Sequence, residues 1–151
     1  MNRGYIHGGF VSTTTGSDLF LPLDSSNTAI SVVSSGGAGP TDLNAVYSMI
    51  VPFSGVVERI ILRSESAPGD TIVKVWHSTE DTEVPSTILG TYPGTETVGP
   101  DEGEMAFDDT PYNFNFEQGT RFEGGDILAF SARFTSACND TIFTVVLKYD
   151  F

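Results

Sequence analysis

Residues 126–151 read DILAFSARFTSACNDTIFTVVLKYDF, and their alternation decides the fold. Leu128, Phe130, Ala132 and Phe134 recur at every second position. Ser136–Asp140 is a turn, after which Phe143, Val145, Leu147 and Tyr149 do the same. Successive side chains of a strand point to opposite faces, so each run predicts a strand with one apolar face turned inward.

The same reading extends upstream. Phe122–Asp126 (FEGGD) is a turn, and Tyr112–Phe116 (YNFNF) alternates with Tyr112, Phe114 and Phe116 inward. Thr71–His77 (TIVKVWH) is a strand in which Val73, Val75 and His77 oppose Ile72, Lys74 and Trp76. Ala45–Phe53 and Val56–Ser64 are two strands around Ser54-Gly55, a spacing that predicts a hairpin. In the second of these, Val56, Glu58, Ile60 and Leu62 share a face, and Val57, Arg59, Ile61 and Arg63 share the other. Ala29–Ser34 is a further strand, and 78–109 is poor in apolar residues and predicts loops with short strands near 87–91 and 105–107. Eight to ten short strands with regular turns predict an all-β, antiparallel β-sandwich, and a jelly roll fits the strand count best.

Composition agrees. The 151 residues hold 13 Val and 9 Ile against 8 Leu, with 17 Thr, 15 Ser and 11 Phe. These suit pleated strands rather than helices. Seven Lys and Arg face 20 Asp and Glu, a net charge of −13. That balance excludes the usual basic kind of nucleic-acid binder and repels anionic lipid, and no apolar run is long enough to span a membrane. Twelve acids and one base, Lys74, lie between Ser64 and Gly119, and a solvated outer face explains them most simply.

Residues 1–25 predict an extended N-terminal arm ahead of a sandwich domain at 26–151. The arm has no signal-peptide pattern. Tyr5, Ile6, Phe10 and Val11 make it too apolar to hang free, so it packs on this domain or a neighbour. The single cysteine, Cys138, forms no intrachain disulfide and reads as a small turn residue. Asn139-Asp140-Thr141 matches the glycosylation triplet by chance. Glu80, Asp81 and Glu83, and Asp101, Glu102, Glu104, Asp108 and Asp109, lack the ordered spacing of a calcium loop. No nucleophile elbow, metal-histidine pair, phosphate loop or zinc-cysteine set is present, so neither an enzyme nor a bound metal or cofactor is expected.

Three stretches carry a resemblance: MIVPFSGVVERIILRSES at 49–66, TIVKVWHSTEDTEVP at 71–85, and YNFNFEQGTRFEGGDILAFSARF with the closing TIFTVVLKYDF. Together they resemble small jelly-roll-like virion proteins of marine tailed phages, including cyanophages, over about two thirds of the chain from residue 45 on. The resemblance implies a head decoration protein or a tail or fibre component. The chain has no helical stretch of the kind that builds a fibre shaft. A short apolar leader suits clamping onto a formed shell, and an acidic soluble face suits many copies on an outer surface.

The expectation is therefore a capsid decoration (cement) protein on the outer surface of the virion. It binds the major capsid protein through Tyr5, Ile6, His7, Phe10 and Val11, and it associates with itself as a homotrimer. The alternative is a tail or head fibre or receptor-binding module that recognises a host surface glycan, with Trp76 as a stacking platform. A lone strand tryptophan more often fills a core, and His77 beside it reads as a hydrogen-bonded, partly buried residue rather than a pH switch.

Overall fold

A computed structural model describes residues 2–23, 30–31, 47–78, 85, 87–92, 104–116 and 120–151. Among them are twelve strands: β1 (Arg3–Ser12), β2 (Leu19–Phe20), β3 (Ile30–Ser31), β4 (Ser48–Ile50), β5 (Gly55–Ser64), β6 (Gly69–Ser78), β7 (Thr87–Tyr92), β8 (Glu104–Met105), β9 (Tyr112–Asn115), β10 (Arg121–Phe122), β11 (Ile127–Phe134) and β12 (Asn139–Tyr149). They form two antiparallel sheets packed as a β-sandwich. The first has the order β1-β12-β5-β10, with β9 also on β5. The second has the order β3-β2-β11-β6-β7, with β4 on β11 and β8 on β6. The expected strand at 87–91 corresponds to β7, whereas the one expected at 105–107 shares only Met105 with β8. Most of the expected 29–34 strand lies outside the described residues.

The alternating runs meet in one core. Leu128, Phe130, Ala132 and Phe134 of β11 face Phe143, Val145 and Leu147 of β12 across it, with Ile60, Leu62, Val73, Val75, Phe114 and Phe122 filling the space between. Chain neighbours β11 and β12 belong to different sheets, and so do β5 and β6. The two connecting arches stack on each other. Glu65 N donates to Asp140 O (2.9 Å), Ser136 N donates to Pro68 O (3.0 Å), and the Ser64 hydroxyl donates to Cys138 O.

The hairpin expected at 45–64 does not form. β4 pairs with β11 in the second sheet, and β5 pairs with β12, β9 and β10 in the first. Residues 51–54 carry the chain across the sandwich, with Val51 fully buried on the way. Each strand finds its ladder with a distant segment, and both can then turn apolar side chains to the same core. Gly55 ends the crossing against β12. A Cβ there would lie 2.3 Å from the carbonyl oxygen of Lys148, so a side chain would push the strands apart.

The face parity expected for β5 also shifts. Val146 opposes Arg59 but Leu147 opposes Val57, so a β-bulge leaves Glu58 without an opposite residue. Val57 thereby joins Ile60 and Leu62 in the core, and Val56 moves to the outer side.

The extended arm expected at 1–25 packs on this domain, and as a strand of the sandwich itself. Residues 3–12 pair with β12 over ten positions, from Arg3↔Lys148 to Ser12↔Asn139. β1 is thus an edge strand of the first sheet, and the chain then crosses to pair Leu19 and Phe20 with β11 and β3 in the second. Phe10 is buried against the rings of Phe134 (6.4 Å) and Phe143 (6.3 Å). Gly8 lets Phe143 in, because a Cβ at Gly8 would come within 2.6 Å of that ring and 2.8 Å of Pro22 O.

Phe10→Ala is expected to lower stability by about 3 to 5 kcal/mol through the cavity it leaves, as read by urea unfolding. Removal of residues 1–16 should abolish cooperative unfolding altogether, because it strips an entire ladder from β12.

Candidate interaction face

The β1–β12 register that sends Ile6 and Phe10 inward sends Tyr5, His7 and Val11 outward, opposite Val146, Thr144 and Asp140. Tyr5 is 58 % exposed and Val11 52 %, and Ile142 beside them on β12 is 58 % exposed. The Tyr5 and His7 rings stack nearly parallel, 6.4 Å apart, and His7 Nδ1 lies 3.0 Å from Thr144 Oγ1. Of the five expected contact residues, three share one open sheet face. Phe10 is in the core and Ile6 packs against it, so neither is free for a partner.

This face also collects cations. Arg3 on β1, Lys148 on β12, Arg59 and Arg63 on β5, and Arg121 on β10 are five of the seven Lys and Arg residues. Their register partners place them outward: Arg3↔Lys148, Val146↔Arg59, Ile142↔Arg63 and Arg121↔Val56. Some are tied at the rim. Arg63 reaches Asp109 (3.4 Å), and Arg121 grips Asp150 with Nη2 2.6 Å from Oδ2. Arg3 spans from β1 to β5, donating from Nε to Glu58 Oε2 at 2.8 Å. That hydrogen bond, with the charges of Arg3, Arg59 and Lys148, holds the Glu58 carboxyl below its usual value despite an opposing push from burial.

The second sheet is different, because both sides of its central strands are covered. Thr71–Trp76 are all buried. Trp76 is 1 % exposed, donates from Nε1 to Ser131 Oγ (2.8 Å), and packs on Phe20, which in turn packs on Tyr47. Lys74 Nζ sits 5.8 Å from the centre of the Trp76 ring and 3.2 Å from Asp18 Oδ2. Trp76 is therefore closed as a glycan platform. His77 is partly buried, and its Nδ1, 3.9 Å from Asp126 Oδ2, makes no hydrogen bond among the described residues.

Cys138 is buried, and desolvation pushes its thiol up, away from nucleophilic character. Its Sγ donates to Ser12 O (3.3 Å) and ties the end of β1 to the β11–β12 arch. Glu80, Asp81, Glu83, Asp101 and Glu102 lie outside the described residues. Asp109 is committed to Arg63. Among the described residues, no three His, Cys, Asp or Glu side chains gather where they could hold a metal ion. No described helix is long and apolar enough to cross a membrane.

A shallow recess of about 660 Å³ lies at the end of the sandwich, lined by Pro52, Phe53, Ser54, Glu123, Gly124, Asp150 and Phe151. Phe53 and Phe151 meet edge-on at 4.6 Å and are both about half exposed. Ser54 Oγ donates to Glu123 Oε2 (2.8 Å) and fixes that carboxylate at the rim.

No protein-family model matches the chain, and no curated protein is significantly similar to it.

Folding lowers the Glu58 value, so the Arg3–Glu58 pair stabilises the fold above the ordinary carboxylate range. That contribution is lost as pH falls through the lowered folded value. Arg3→Ala should cost about 0.2 to 1 kcal/mol at neutral pH, a surface-pair magnitude that already allows for solvent screening. Urea unfolding across a pH series should show the gap to the parent closing in strong acid.

Proposed function

We propose that the protein is a virion structural subunit, a jelly-roll-like capsid decoration protein. In this reading it associates as a homotrimer, binds the outer surface of a major capsid protein shell, and acts by covering and linking shell subunits rather than by catalysis. The observation that carries the reading is the open face of the first sheet. Tyr5, His7, Val11 and Ile142 stand out from strands whose other sides build the core. A contact residue on a paired strand is already ordered, so attachment loses little conformational entropy, which a free arm would have to give up. The likeness of the strand and turn motifs to marine tailed-phage virion proteins supports the same assignment.

Mass spectrometry of purified particles should find the chain, and gold-labelled antibody should mark the head rather than the tail. Val11→Asp with Ile142→Asp should lower shell occupancy by at least about tenfold, the scale of central contact residues, while the unfolding midpoint changes little. Full occupancy by a folded double variant would remove the face from the contact.

The receptor-binding alternative now rests on the terminal recess in place of Trp76. Half-exposed Phe53 and Phe151 beside the Glu123 and Asp150 carboxylates could hold the apolar face and hydroxyl edge of a sugar ring. A glycan array with the isolated protein tests it. Binding that Phe53→Ala abolishes would favour this reading over the shell assignment.

A further inference from the structure

We infer that the outer face of the first sheet takes an acidic, partly apolar protein surface, so that charge selects the partner and apolar contact holds it. The inference deepens the attachment reading above and rests on it. Its ground is how unevenly the charge is distributed. Five of the seven cations stand on this face, and its strands contribute only two acids, Glu58 and Asp140. Two cations and eighteen acids remain for everything else. Of those two cations, Lys74 is buried against Asp18. Three of the five are held in ion pairs by Glu58, Asp109 and Asp150, which leaves Arg59 and Lys148 as the cations of this face outside any ion pair among the described residues.

That side fits an acidic protein better than the other polyanions it could meet. A phosphate backbone would leave Tyr5, Val11 and Ile142 uncovered. Aromatic, aliphatic and arginine side chains mixed on one surface are the composition of a protein–protein contact. A second copy meeting this face with its own would offer Arg59 and Lys148 only Glu58, already held by Arg3, and Asp140 from its strands, so a two-fold contact here is poorly matched. A different polypeptide that presents Asp and Glu around an apolar centre satisfies both parts of the face.

The test uses the whole chain, isotope-labelled, titrated with a soluble glutamate–tyrosine copolymer. Poly-glutamate and duplex DNA serve as comparisons, and amide shifts are followed in low and high salt. The copolymer is expected to bind most tightly, with shifts confined to β1, β12 and β5, and salt should weaken it by screening exposed charges.

Arg59 and Lys148 make no ion pair within 4 Å among the described residues, so their reversal should leave the fold intact, as a thermal melt will show. Arg59→Glu with Lys148→Glu should weaken copolymer binding by at least about tenfold. Four outcomes would overturn the inference: no binding, shifts centred elsewhere, tighter binding of DNA, or a salt-dependent self-association that the double variant abolishes. Failure of the shell reading shows separately, as particles that lack the chain while copolymer binding persists.

Discussion

One register, that of β1 on β12, decides both what holds this protein together and what it shows to the outside. Side chains alternate along a strand, so a slip of one residue would send Tyr5, His7 and Val11 into the core and lift Phe10 out of it. Two features hold the register. Phe10 occupies a space bounded by Phe134 and Phe143. Gly8 sits where Phe143 leaves no room for a Cβ. A slip that put His7 there would drive a side chain into the ring, and one that put Gly9 there would pull Phe10 from its space. The surface of the first sheet is therefore a consequence of core packing, and the two are not independently adjustable.

The strands were legible where alternation was clean. β11 and β12 show their inward rows directly, because large apolar residues recur at every second position while Ser131 and Arg133, or Asp140, Thr144 and Lys148, interrupt the other row. Pairing was not legible. The 45–64 segment has the length and the turn of a hairpin, yet a short connection serves equally to cross a sandwich, and only the distant partners of β4 and β5 decide between the two. The bulge at Glu58 was hidden for the same reason, since it exists only relative to β12. In the leader, glycines read as interruptions of structure. Gly8 is instead a point of close approach inside a continuous ten-residue strand.

The candidate site divides along the same line. Tyr5, His7 and Val11 follow from parity once residues 3–12 are known to be a strand, whereas Ile6 and Phe10 could not be separated from them while the segment was read as an arm. The cations were visible one at a time but come from four strands far apart in sequence, and the ladder brings them together. For Trp76 a signal was available. TIVKVWHS is nearly continuous in apolar and β-branched residues, which is the mark of a strand covered on both sides.

The two sheets thus take opposite roles. The second hides its outer side beneath Trp76, Phe20 and Tyr47 and buries a lysine there with a carboxylate and an aromatic ring around it. A lysine in that position would lose stability without Asp18, because its desolvation is costly and its pairing must compensate. The first sheet keeps its outer side open and collects five of the seven Lys and Arg residues on it. β1 stands at the edge of that sheet and is held by a single ladder, to β12. A partner that covers Tyr5, His7 and Val11 would press on the strand whose Phe10 locks the core. Binding and folding then stabilise the same ten residues, and by linkage any surface that prefers the folded face also raises its stability.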